Sequence, residues 1–73
     1  MTTFVSREQL HIGDEISYSF PKTSNLVLHG SIIHIGQGQA ARYAVWIRCT
    51  DGYNRGNIEC VMLENIIGVV NYA

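Results

Sequence analysis

The sequence predicts an all-β fold of five short strands, and two observations carry most of that prediction. Residues 42–49 alternate strictly: Tyr43, Val45, Ile47 and Cys49 point one way, and Arg42, Ala44, Trp46 and Arg48 the other. Period two with β-branched and aromatic residues means a strand with one buried face. The next apolar run, Ile58 to Met62, follows Asp51-Gly52-Tyr53-Asn54-Arg55-Gly56, a stretch dense in turn formers. The two runs therefore read as an antiparallel hairpin around which the rest should pack.

The other elements follow in chain order. Ser6-Arg7-Glu8-Gln9-Leu10 reads as one helical turn, with Ser6 as N-cap and Gln9 as its capping-box partner. Gly13-Asp14 makes a turn into the first strand, Glu15 to Phe20, with Ile16, Tyr18 and Phe20 inward and Glu15, Ser17 and Ser19 toward water. Pro21 lacks the N–H a ladder needs and ends that strand in a polar loop. The second strand runs from Leu26 to Ile35. Its alternation breaks at Ile32-Ile33, where a bulge would bend it and put Ile32 and Ile35 on one side. Gly30 fits a close approach of backbones. Leu63-Glu64-Asn65-Ile66 is too short for an α-helix and reads as a 3₁₀ turn before the last strand, Ile67 to Tyr72.

Length and composition bound what such a chain can be. Seventy-three residues read as one domain, which buries only roughly 60% of its unfolded surface. Only 15% of the residues are charged, against 47% apolar. That is low for a small domain, since ordinary usage is about 25%. The deficit implies surface covered by something else, and a second copy of the chain is the simplest cover. A net charge of −1 lacks the basic surplus of a phosphate binder. No run reaches the roughly 20 apolar residues that span a bilayer, and the first residues do not resemble a signal peptide. The expectation is a cytoplasmic protein, not bound to membranes, with reduced thiols.

Gly13-Asp14-Glu15-Ile16, Gly30-Ser31-Ile32-Ile33-His34-Ile35 and Tyr43-Ala44-Val45-Trp46-Ile47 together resemble the opening of KOW- and Tudor-type domains. Asp51-Gly52-Tyr53-Asn54 followed by Ile58 and Leu63 to Ile66 resembles a Tudor ending. The resemblance implies a five-stranded SH3-like small barrel and an accessory factor that docks on nucleic acid or a peptide. Gly13-Asp14, Gly30, Tyr43-Ala44-Val45 and the stretch from Gly56 to Ile66 are also similar, in order and spacing, to the plasmid-type dihydrofolate reductases. Those are SH3-like barrels that assemble around a shared pore. Where that family has Val-Gln-Ile-Tyr on the pore strand, this chain has Ile58-Glu59-Cys60-Val61. This second resemblance therefore implies fold and assembly, and only as an alternative a pore enzyme.

No catalytic or metal motif stands out. His29 and His34 are five apart, on opposite faces of a regular strand, and no acid or thiol sits at ligand spacing beside them. Gly36-Gln37-Gly38 lies between strands and reads as a hairpin loop, not a phosphate cradle. No Gly-x-Ser-x-Gly elbow or Cys-x-x-Cys is present. Cys49 and Cys60 read as two small inward hydrophobes, in either of two hairpin registers. No cofactor is expected.

The outward face of the third strand is the candidate surface. Arg42, Trp46 and Arg48 share it, Tyr53 and Arg55 follow in the loop, and Val70 and Tyr72 belong to the last strand. Arginine interleaved with an aromatic stacks on bases. The same residues anchor subunit contacts. The plainest alternative is a surface on which Trp46 covers apolar neighbours and Glu59 pairs with Arg48 or Arg42 across the hairpin. The reading that joins these points is a self-associating binding module, dimer or tetramer, without catalytic activity.

Overall fold

The computed structural model describes residues 7–20, 25–36 and 44–71. Five strands form one antiparallel sheet: β1 (Glu15–Tyr18), β2 (Leu28–His34), β3 (Ala44–Cys49), β4 (Ile58–Met62) and β5 (Ile66–Val70). Their order is β4-β3-β2-β1-β5, so β4 and β5 are its edges. A 3₁₀ turn at Arg7–Gln9 precedes the sheet and another at Leu63–Asn65 joins β4 to β5. Among the described residues no helix is long and apolar enough to cross a membrane.

Period-two patterning places the core on one face. Ile16, Tyr18, Leu28, Ile32, Val45, Ile47, Cys49, Val61 and Ile66 are buried together with Leu10, which packs in from the N-terminal turn. The pairing of β2 with β3 slips between Ile32 and His34, which is the bulge that the Ile32-Ile33 doublet implies. Ile33 is left exposed, and Ile35 returns to pack against the core beside Ile32. Gly30 pairs with Cys49 at the crossing of β2 and β3. A Cβ there would collide with Ile47 Cδ1 and lie 3.1 Å from the Arg48 carbonyl oxygen. Only glycine lets the two backbones come this close.

The first strand is shorter than its alternation implies. Its register with β5 shifts between Ser17 and Tyr18, and the strand ends at Tyr18. Ser19 then turns inward, where its N–H donates to the Asn65 carbonyl at 3.1 Å and its hydroxyl to the Leu26 carbonyl. Ser19 is buried, and Phe20, expected inward, is 77% exposed. The second strand likewise begins at Leu28, not Leu26, and the last spans Ile66–Val70, one residue earlier at its start than the pattern indicates.

The larger correction concerns the β3–β4 hairpin. Its register pairs Val45 with Val61, Trp46 with Cys60, Ile47 with Glu59 and Arg48 with Ile58. Neither expected register has this parity. Gly56 donates to the Cys49 carbonyl and Cys49 N–H to the Asn57 carbonyl, both at 2.8 Å. Gly56 has φ +88°. Two residues thus oppose one, in the manner of a bulge whose first position is a left-handed glycine. One extra residue turns every side chain of β4 over. Cys60 faces outward and is exposed, while Glu59 faces inward, away from the arginines expected to pair with it.

Both thiols are free, Cys49 buried and Cys60 exposed. Native protein should therefore lose one thiol rapidly to a thiol-reactive dye and the second only on unfolding. Peptide mapping should assign the fast site to Cys60. Equal protection of both would restore the inward reading of Cys60.

Candidate binding cleft

Tyr18 is the last residue of β1, and its ring spans the interior toward β4. Its hydroxyl donates to Glu59 Oε2 at 2.8 Å. Asn54, buried in the turn before β4, donates from Nδ2 to the same carboxylate oxygen at 3.1 Å and to the Tyr18 hydroxyl oxygen at 3.2 Å. Cys49 Sγ lies 3.4 Å from that hydroxyl. Tyrosine has one proton to give, and it goes to the carboxylate, so the thiol is left to donate. Asn54 Oδ1 is buried without a hydrogen-bond partner. A flipped amide would turn oxygen toward the carboxylate and repel it.

Burial, then the contacts with Cys49 and Glu59, push the Tyr18 hydroxyl far above the ordinary tyrosine range. Burial likewise pushes the Cys49 thiol up, and the Glu59 charge adds to it. Both groups stay protonated at neutral pH, so neither is poised as a nucleophile.

Above this network lies a cleft of ≈ 420 Å³. Tyr18, Leu28 and Asn65 contribute to it from the core side, Phe20, Leu26 and Tyr53 from the loops, and the run Glu59 to Met62 from β4. Phe20 and Tyr53 are 77% and 80% exposed. Glu59 is the one charged residue among the described residues that line the cleft, and none of the described ion pairs involves it. The cleft is therefore apolar and aromatic at its mouth, with a single carboxylate held by two neutral donors.

The candidate residues do not form one group. Trp46 is half-exposed between His34 and Cys60 on the outward face, and Arg48 shares that face, its guanidinium 3.5 Å from the Gly56 carbonyl oxygen. Tyr53 belongs to the cleft. Arg55 is exposed in the turn, and Val70 is exposed on β5 opposite Glu15. Arg42 and Tyr72 lie outside the described residues. Asp51, at the start of the turn, pairs with His29 at 3.0 Å. Phe20, Leu26, Asn54 and Glu59 were not anticipated as site residues. The signal for Glu59 is present in the chain: it is the one charge in an otherwise apolar strand. Among the described residues no group of three or more His, Cys, Asp or Glu could hold a metal.

The network makes stability pH-dependent at the alkaline end. Below the ordinary values of 9.0 for cysteine and 10.0 for tyrosine, folded and unfolded chains are both protonated here and the contribution is complete. Above them the unfolded chain sheds protons that the folded chain keeps, so stability falls as pH rises. The melting temperature should decline from about pH 9 upward, and Tyr18→Phe should flatten the steeper part of that decline. A wild-type melting temperature constant from roughly pH 8 to pH 11 would contradict this assignment.

The chain matches no protein-family profile, and no curated protein or solved structure matches it.

Proposed function

We propose that this chain is a small SH3-like barrel that acts as a non-catalytic interaction module, and that the cleft between β4 and the ends of β1 and β2 is where it holds its partner. The observation that carries this reading is the cleft's composition: exposed aromatic residues around a carboxylate that, among the described residues, no cation pairs with. The strand order and the Tyr18–Glu59 bond, which draws β4 toward β1, support a sheet curled in the manner of a small barrel. Covering Phe20 or Leu26 gains about 2 kcal/mol each. Part of that is lost to association entropy, which fits a reversible contact. A ligand with an apolar stem and a positive end meets both halves of the site, since its charge can sit against an aromatic face beside Glu59.

Self-association belongs to the other face. Trp46, Ile58, Cys60 and Met62 are exposed side by side there, with His34 and Arg48 at their margin. An apolar patch of this kind on a small domain favours a symmetric dimer or tetramer. The nucleic-acid alternative draws on fewer groups, because Trp46 and Arg48 share the outer face while Tyr53 lines the cleft. The pore-enzyme alternative would place its site along β4, where Glu59 is turned inward to Tyr18 and Asn54.

Nuclear magnetic resonance with n-butylammonium and butyrate as probes tests the cleft. The cation should shift the signals of Phe20, Tyr53 and Glu59, butyrate should not, and Phe20→Ala with Tyr53→Ala should abolish the effect. Equal response to both probes, or none, would remove the cleft reading. Light scattering tests the outer face separately. A mass of at least two chains is expected at micromolar concentration, lowered by Trp46→Ala, and a monomer at high concentration would exclude self-association.

A further inference from the structure

The side chains of Glu59 and Val61 point into the core side of the sheet, and those of Cys60 and Met62 point outward, yet all four residues line the cleft. A cavity lying on one face of a strand touches alternate residues. One that touches four in succession opens onto the strand's edge. β4 is such an edge, with β3 on one side and, among the described residues, no strand on the other.

The direction of its free backbone groups follows from the hairpin. Cys49 N–H bonds the Asn57 carbonyl, and Thr50 N–H bonds the His29 carbonyl across the other side of β3. Alternation along β3 then directs Cys49, Ile47 and Val45 toward β4. Their partners Glu59 and Val61 use their backbone groups toward β3. Ile58 and Cys60 direct theirs to the open edge. An edge row of unpaired donors and acceptors is a template for another strand. Edges of this kind are ordinarily blunted by lysine or proline, and β4, Ile-Glu-Cys-Val-Met, has neither.

We infer that the cleft receives an extended segment of a partner polypeptide, which pairs with the free edge of β4 through Ile58 and Cys60 and places a lysine or arginine side chain against Glu59. The inference rests on the cleft being the binding site and adds the mode of binding and the chemistry of the partner. Backbone pairing supplies affinity without regard to sequence, and alternate side chains of the added strand supply selectivity. Those directed to the core side meet Phe20, Leu26 and Tyr53 at the mouth and the carboxylate below. Charge complementarity selects a basic residue there, because the described lining offers one negative group and no positive one.

Selection of the immobilised full chain against a random displayed peptide library, followed by amide exchange with a selected peptide, tests this. Enriched peptides should carry a lysine or arginine flanked by alternating apolar residues, and Glu59→Gln should remove the preference for the basic residue. Binding should slow exchange at the amides of Ile58 and Cys60. N-methylation of the peptide at alternate positions should weaken binding about tenfold in one phase and little in the other. A peptide whose binding is lost in Phe20→Ala and Tyr53→Ala but leaves those two amides unprotected would overturn strand addition while leaving the cleft as the site. Peptides indifferent to Phe20→Ala and Tyr53→Ala would overturn both.

Discussion

The bond from the Tyr18 hydroxyl to the Glu59 carboxylate holds together strands that are not neighbours. In the sheet order, β3 and β2 separate β4 from β1. A contact of 2.8 Å between side chains of the first and fourth strands is reached only if the sheet curls over its own inner face. Everything distinctive about the cleft depends on that curl. It brings the edge of β4 opposite Phe20 and Leu26, and it leaves room between them because the two strands meet through side chains and not through a backbone ladder.

The Tyr18–Glu59 contact in turn depends on the parity of one hairpin. Had β4 been shifted by a single residue, Cys60 would stand where Glu59 does and Tyr18 would face a thiol. The turn prevents this through Gly56, which takes a left-handed backbone that other residues resist, and through Asn54, whose amide reaches the carboxylate from inside the turn. The same residues set register and electrostatics. The cost is visible in Asn54 Oδ1, buried and unpaired. A polar group so placed is unfavourable in isolation and tolerable where its other end holds a charge.

The sequence was legible wherever a strand had two chemically different faces. β3 alternates between arginine or tryptophan and β-branched residues, and its faces are as the pattern implies. The Ile32-Ile33 bulge and the close approach at Gly30 were also readable, because each breaks a rule that has few physical remedies. β4 was not readable. Ile58, Cys60 and Val61 are all apolar, so the pattern does not say which face is inward, and the decision passed to a turn whose bulge adds a residue without a mark beyond one glycine. Phe20 failed for a related reason: alternation continues through it, but the backbone hydrogen bond from Ser19 to Asn65 ends the strand first. The cleft is lined by β4 and Phe20, the two places where alternation does not determine which way the side chains point.

Asp14 is fully buried and accepts from the His11 backbone N–H at 3.0 Å and from Asn71 Nδ2 at 2.7 Å. Asn71 Nδ2 also reaches the Gln9 carbonyl at 3.1 Å. The path into the first strand and the path out of the last are thus fastened to each other at one carboxylate. A unit whose entry and exit meet can be spliced into a surface loop of a host protein without prising the loop apart. The clasp also means that tension applied through Gln9 and Asn71 bears on the two hydrogen bonds that Asn71 Nδ2 makes across it.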